Sequence, residues 1–550
     1  MSRLKKSILL LFCSIFVAYF FVGQGSAVAE DQATWAKVYG DTIDYAYDVS
    51  STLQTTEGGY IVTGYVVNLS TYNYDVLVLK LDAGGNIQWQ KAYDINNYDF
   101  AYSIQQTIDG GYIVAGYTFS VDGLSDALVL KLDANGNIQW QKTYGGSSGD
   151  WVYSIQQTTD GGYIIAGATF SFGSYYADLW ILKLDSNGNI QWQKAYNKRE
   201  MDSAYSIQQT TDGGYIVAGQ TRVYNEPDIW VLKLDSNGNI MWDNIYGGNS
   251  GASASAIVQT TDGGYVVTGR VKAYGEGMYD AWVLKLDGNG NIQWQKTYGG
   301  SNYDSAYSIQ QTTDGGYILS GNIDSFFAWA LRLDMNGNIL WQKAYGENGV
   351  ISSIRQTTDG GFIMAGRTSS FGNNKVWILK TDDMGNISTC SAMIRESIAI
   401  VSDTNASIIN LASRVLDTNG FQLETSAVIN DTNLNPLNAC LTDTTPPFVT
   451  ISATPNVIWP PNHKLVNVVI DGSAIDNESG IESVVITVTD EYGIYNMTVP
   501  GFGSTIQLEA WREGTDKDGR RYTITVIAKD KAGNQSTATT EVIVPHDMGK

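Results

Sequence analysis

Between residues 31 and 390, apolar and polar positions alternate in short runs with a period of two, and Gly, Asp and Asn punctuate the runs. The whole pattern then repeats. A Gly-Gly-aromatic triplet begins at Gly58, Gly110, Gly161, Gly213, Gly263, Gly315 and Gly360, in steps of 52, 51, 52, 50, 52 and 45 residues. The third copy shows the elements. Ser154–Thr158 is a short alternating run, and Thr159-Asp160-Gly161-Gly162 is a turn. Tyr163–Gly167 is a second strand, and Asp178–Leu184, rich in β-branched and aromatic residues, is a third. Asp185–Asn189 carries an Asn-Gly hairpin signal, and Ile190–Tyr196 is the fourth strand. Four antiparallel strands repeated seven times predict an all-β chain whose residues 30–390 form a seven-bladed β-propeller. A β-solenoid is the competing architecture, but its turns are shorter than this period and lack two tight hairpins each.

The ends of the array predict a closed ring. Thr34-Trp35-Ala36-Lys37-Val38-Tyr39-Gly40 reads as a fourth strand with no third strand before it, and the seventh copy lacks that strand after Ser388. Residues 33–40 are therefore expected to complete the last blade, which removes two sheet edges. The first–second and third–fourth turns are nearly uniform among copies, whereas the loops on the opposite face vary. Binding is expected on the variable face.

After residue 390 the character changes. Residues 391–444 read as a β-rich connector in which Asp-Thr-Asn recurs at Asp403, Asp417 and Asp431, fourteen apart. Residues 445–546 contain six strand-like runs: Phe448–Ser452, Lys464–Ile470, Ser483–Thr489, Thr505–Ala510, Tyr522–Ala528 and Ala538–Val544. That count predicts an immunoglobulin-like β-sandwich. At the other end, Arg3, Lys5 and Lys6, the apolar run Ile8–Val22 and Ala27-Val28-Ala29 form a signal peptide over residues 1–29.

Export changes the reading of charge and thiols. The chain carries a formal charge of −22, and loss of the three signal-peptide cations gives −22 − 3 = −25. Such a balance excludes nucleic acid and anionic membrane surfaces as partners. No further segment predicts membrane insertion after cleavage. Cys390 and Cys440 are the two mature cysteines and are expected to form a disulfide, worth roughly 4 kcal/mol for a loop of about 50 residues.

Candidate chemistry is sparse. The variable face carries aromatics, of which Tyr72, Tyr74, Phe172, Tyr175, Tyr176, Tyr224, Tyr274, Tyr279 and Phe326 are candidate ligand platforms, or else wedges between blades. Asp44, Asp99, Asp150, Asp202 and Asp304 precede the innermost strands, where they either ring the channel mouth or cap backbone N–H groups. A second series, Asp75, Asp126, Asp178, Asp228 and Asp280, precedes the third strands. The Asp-x-Asn-Gly-Asn turns offer one carboxylate each and no bidentate Glu, so hairpin geometry explains them, with calcium as the alternative, and no other cofactor is implied. Both histidines, His463 and His546, fall in the C-terminal unit and are candidate metal ligands only with a third group such as Asp547. With no histidine or free thiol in the repeats, Ser–His–Asp and Cys–His schemes are excluded there, while a pair of acids for glycoside hydrolysis is not. A site for a carboxylate-bearing sugar would want an arginine cluster, for which Arg222, Arg270 and Arg367 are the candidates.

The run Tyr-Ser-Ile-Gln-Gln-Thr-Thr-Asp-Gly-Gly-Tyr-Ile-Val-Ala-Gly, with Trp-Val-Leu-Lys-Leu-Asp-Ser-Asn-Gly-Asn-Ile-Gln-Trp after it, resembles the propeller repeats of exported bacterial and archaeal surface proteins. Its Leu-Asp-x-Asn-Gly-x-x-x-Trp piece is similar to the blade repeat of pyrroloquinoline-quinone enzymes and, less closely, to the Asp-box hairpin of sialidases. The spacing Asp185–Gly188–Trp192 departs from both by about one residue, and no adjacent Cys-Cys pair of the quinone-enzyme kind is present. Trp459–Lys464 and Ala528–Asn534 resemble pieces of bacterial Ig-like modules, which implies a spacer or adhesive unit. The resulting expectation is a secreted or cell-surface, non-enzymatic binding or adhesion protein for an extracellular glycan or protein. An extracellular polysaccharide hydrolase or lyase and a structural surface-layer component are the alternatives.

Overall fold

The computed structural model describes residues 34–39, 46–68, 72–119, 123–173, 175–198, 200–223, 226–247, 251–272, 278–370, 374–388, 446–476, 481–530 and 534–546, together with seven backbone strands between 394 and 438. The signal peptide, Asp44, Tyr224, Tyr274, Cys390, Cys440 and Asp547 lie outside the described residues. No helix occurs among the described residues; the chain is all-β.

Each repeat folds as a four-stranded antiparallel unit, consistent with a propeller. In the third, the strands are Asp150–Gln157, Tyr163–Thr169, Asp178–Leu184 and Ile190–Asn197. The first strand starts four residues before the alternating run because a bulge between Val152 and Ser154 lets Asp150–Val152 pair on with Gly167–Thr169. At the same place in the second unit a Cβ on Gly116 would fall 1.8 Å from the Phe100 carbonyl oxygen, so only glycine fits. The Asn-Gly hairpin differs from a two-residue loop. Gly188 alone takes a positive φ, Asp185 N–H bonds Asn189 O, and the register shifts at Lys183/Leu184. That is a longer hairpin with a glycine bulge. Asp185 accepts the N–H groups of Asn187 and Asn189 and the Asn189 amide, which occupies its carboxylate without a cation.

The repeated Trp-x-Lys-x-Tyr of each fourth strand is explained by its neighbour. Tyr144 Oη donates to the Gly188 carbonyl at 2.7 Å, Lys142 Nζ to Asn189 Oδ1 at 3.1 Å, and the Trp140 ring covers Gly188. A Cβ on Gly188 would come 2.9 Å from that ring, so the turn glycine is also a docking surface for the preceding unit. The same tyrosine bond links every successive pair of units, through Tyr93, Tyr196, Tyr246, Tyr298 and Tyr345. It also closes the ring. Trp35–Tyr39 pairs with Lys375–Thr381 in the last unit, and Trp35, Lys37 and Tyr39 bond Ala83 O, Asn86 Oδ1 and Gly85 O of the first. On the inner side, Thr358 N–H reaches Gln54 Oε1 across the same junction.

The described strands within residues 391–444 add to the ring's sheets rather than forming a sheet of their own. They are Ile394–Glu396, Ile400–Asp403, Ser407–Ile409, Arg414–Asp417, Phe421–Glu424, Val428–Asp431 and Pro436–Asn438. Each adds a fifth antiparallel strand to the outer edge of one unit, in the order six, five, four, three, two, one, seven. The segment is a belt that runs backwards round the ring and covers seven edge strands.

Residues 446–546 form two sheets. One holds Phe448–Thr454, Leu465–Ile475 and Ser504–Glu509; the other holds Asn496–Val499, Ile481–Asp490, Arg520–Asp530 and Gln535–Val544. They share one apolar core around Val468, Ile486, Leu508, Tyr522 and Val526. Asn496–Val499 was too short to read from alternation.

The third-strand lysine of most repeats is buried and reaches the turn carboxylate of its own unit, as Lys183 Nζ does to Asp160 at 2.8 Å. Burial by itself raises Asp109, Asp160, Asp212 and Asp262, but the neighbouring Thr hydroxyl and Lys ammonium outweigh it and hold all four at about 2. Asp99 and Asp304 behave oppositely: burial pushes them up to about 7 and about 6. The first group binds protons more readily unfolded, so stability falls as pH drops from about 4 to about 2. The second binds them more readily folded, so stability also falls as pH rises from about 4 to about 7. Denaturant midpoints are therefore expected to peak near pH 4–5, with the acid limb softened because those turn aspartates are half exposed. A midpoint that climbs steadily from pH 4 to pH 7 would contradict this assignment.

Candidate functional site

The first strands of all seven units surround one cavity of about 730 Å³, lined by Ser50, Tyr102, Tyr153, Tyr205, Ser255, Tyr307 and Ser352 among others. Its size suits a small ligand. Part of its polar lining is already used. Ser103, Ser154, Ser206 and Ser308 accept the N–H of Ile155, Ile207, Ile257 and Ile354 in the next unit. Tyr102, Tyr153 and Tyr205 meet in series, edge-to-face at 5.4 Å and tilted at 5.3 Å. Burial raises all three phenols, so they stay neutral hydroxyls across the physiological range.

The symmetry breaks at the mouth of this channel, on the face of the variable loops. One cross-strand pair per unit stands there: Asp48–Tyr65, Phe100–Tyr117, Trp151–Ala168, Ser203–Gln220, Ser253–Arg270, Ser305–Asn322 and Val350–Arg367. Units one to three make an aromatic wall. Tyr65, Tyr74 and Phe100 pack at 4.9–5.7 Å, Phe100 meets Tyr117 at 5.0 Å, and Trp151 meets Phe170 at 5.2 Å. Units four to seven make a polar wall carrying Gln220, Arg270 and Arg367. Arg270 lies over the Tyr279 ring at 5.2 Å, and Tyr279 stacks on Tyr303 at 5.7 Å. Arg367 is 3.4 Å from Asp48, whose carboxyl is raised by burial despite that arginine.

Deeper in the channel, Arg355 stands where units two, three, four and six have Gln105, Gln156, Gln208 and Gln310. Those glutamines each accept a backbone N–H from the following unit. Arg355 Nη1 instead donates to Ser308 Oγ at 2.8 Å and to its neighbour's carbonyl at 2.7 Å, and no carboxylate lies against it among the described residues.

The predicted site residues divide. Tyr74 packs on Phe100 and Tyr279 under Arg270 beside the mouth, and neither lines the cavity. Phe172 packs partly buried on Trp180 at the edge of an apolar core cluster and does not line the cavity. Tyr72, Tyr175, Tyr176 and Phe326 are exposed on the loops, away from the cavity lining. Among the described residues, the aspartates before the first strands do not ring the channel. Asp99, Asp150, Asp202 and Asp304 are fully buried and accept the N–H groups of Ile95, Gly146, Lys198 and Gly300 at the corners, which would otherwise have no partner. Asp99 lies near Asp75 and Asp94. His463 Nδ1 sits 3.1 Å from Glu509 Oε1, and no group of three metal-binding side chains includes either histidine among the described residues. Asp48 and Arg355 were not singled out from sequence. Their signal was a departure from the repeat at first-strand positions rather than in the loops.

No protein-family model matches the chain, and no curated protein matches it. Among solved structures the chain is similar to Sqt1 of Chaetomium thermophilum, at 10% identity and TM-score 0.38 over 64% of this chain and 98% of that one. It is similar to the β-propeller domain of the trilobed protease of Pyrococcus furiosus, at 11% identity and TM-score 0.33 over 62% and 97%. It is also similar to the acylaminoacyl peptidase of Pyrococcus horikoshii, at 12% identity and TM-score 0.36 over 62% and 52%.

Proposed function

We propose that the chain is a secreted or cell-surface binding protein, built as a seven-bladed β-propeller with an Ig-like spacer, that holds a glycan or protein ligand at the channel mouth of its variable face. The observation that carries this reading is the asymmetric mouth. Near-identical repeats would give seven equal positions, yet three units present aromatics and four present polar or cationic groups. Such a division serves recognition, since the scaffold itself needs none of it. Binding is favoured over hydrolysis because Asp48 is the lone carboxylate among the residues lining the cavity, and glycosidases use two. Cys390 and Cys440 are proposed to pair in the exported protein. Ser388 N–H bonds Thr34 Oγ1, and Asn438 pairs with Lys37, so the chain next to each cysteine meets the same closing strand.

A glycan array probed with the full chain and with Trp151→Ser tests the site. The substitution installs what the fourth unit carries as Ser203. Binding is expected for the parent and a loss of about ten-fold or more for the variant, the range of one stacked aromatic. Equal signals from both would place the site elsewhere.

A further inference from the structure

Given a binding site at the channel mouth, as proposed above, we infer that its ligand is a short acidic glycan of the uronic-acid type, with its carboxylate on the arginines and its sugar faces on the aromatic wall. Charge is the first ground. The chain has 56 acidic and 34 basic residues, yet the cavity lining holds Arg270, Arg355 and Arg367 against the single Asp48. A cationic pocket in an acidic protein selects anions at close range while the rest of the surface repels them. Arg355 is the second ground. It replaces a glutamine that other units use to join their neighbours, has no carboxylate against it among the described residues, and faces a cavity with space for a ligand. A guanidinium held this way offers its remaining N–H groups to a carboxylate in a bidentate fork.

The rest of the lining chooses the class of anion. Tyr102, Tyr153, Tyr205 and Tyr307 line the cavity itself, and Tyr117 stacks on Tyr102 at 5.6 Å with Phe100 and Trp151 packed against it at the mouth. Ser50, Ser255 and Ser352 line the same cavity. Flat faces opposite hydroxyl donors and acceptors match a pyranose, which has an apolar face and a polar rim, better than an acidic peptide or a free inorganic anion. The cavity of about 730 Å³ has room for two or three sugar units.

The test uses the full chain and calorimetric titration with three probes: trigalacturonate, its methyl ester, and a triglutamate peptide. Arg355→Gln, which installs the residue of units two, three, four and six, and Arg367→Gln are titrated alongside, with melting curves as the check on folding. Trigalacturonate is expected to bind, the ester at least ten-fold more weakly, and each arginine variant is expected to lose about ten- to a hundred-fold for the acid but little for the ester. If the ester binds as well as the acid and only Trp151→Ser weakens both, the acidic ligand is wrong while the channel-mouth site stands. Binding of the peptide alone, lost in Arg355→Gln, would overturn the glycan class. If no probe binds and the array signal ignores Trp151→Ser, both readings fall.

Discussion

A chain ending at residue 388 is expected to associate into soluble oligomers and precipitate, whereas one ending at residue 444 stays monomeric. The belt is the reason. Each of its seven strands pairs three or four residues with the outermost strand of a unit. A net backbone hydrogen bond contributes about 1 kcal/mol, and ordering a belt residue costs about the same, so little stability per unit is at stake. Exposed edges are a different matter. Without the belt, seven twisted edges present unpaired N–H and C=O groups to any other chain. Light scattering of the two forms at equal concentration checks the point, and equal monomer fractions would refute it. With Cys390 and Cys440 paired as proposed, Cys440→Ser in the longer form is expected to cost about 2–4 kcal/mol, because the closed loop no longer restrains the unfolded chain. Reductant should reproduce that loss in the parent.

The second large effect is expected in the C-terminal unit. Arg520 and Asp490 have no exposed side-chain surface, and Arg520 Nε and Nη2 donate to Asp490 Oδ2 at 3.0 and 2.6 Å. The guanidinium is boxed by Tyr492, Tyr495, Trp511 and Tyr522 at 4.6–5.4 Å. Asp490 Oδ1 accepts the N–H groups of Ile494 and Tyr495, both at 2.7 Å. Burial alone would raise the Asp490 carboxyl, but those N–H groups and Arg520 hold it below its ordinary value. Arg520→Met leaves this carboxylate buried without its partner, at a cost of about 3–5 kcal/mol. For a unit of about 100 residues that lowers its melting transition by more than about 10 °C. Arg520→Met with Asp490→Leu should recover a good part of the loss, since the uncompensated charge is gone. Calorimetry of the full chain reads both. If the single variant melts like the parent, the buried pair does not hold these two neighbouring strands together.

The repeats were legible because their chemistry is local and periodic. Gly188 and Asp185 shape a hairpin that any copy announces. What those residues do between units was not legible, since Tyr144 and Gly188 are 44 positions apart and nothing in either marks the other. The belt left one trace. Asp403, Asp417 and Asp431 each end a belt strand, and their fourteen-residue spacing is two steps round the ring. Read without the propeller, that period has no partner to explain it. The mouth was half legible. Loop aromatics draw the eye because they vary, yet the cavity is lined by the first strands, where variation is rare. Asp48 and Arg355 matter as exceptions within a uniform element.

The belt also sets an order in time. Its strands lie last in sequence among those of the ring, and each needs the outer edge of a finished unit as its template. The closing strand, made first, must wait for Lys375–Thr381 before it has a neighbour. Synthesis therefore delivers the outer edges of the first six units before any of their cover. In a chain kept unfolded until synthesis ends, the belt is present when the ring forms and assembly ends in one step.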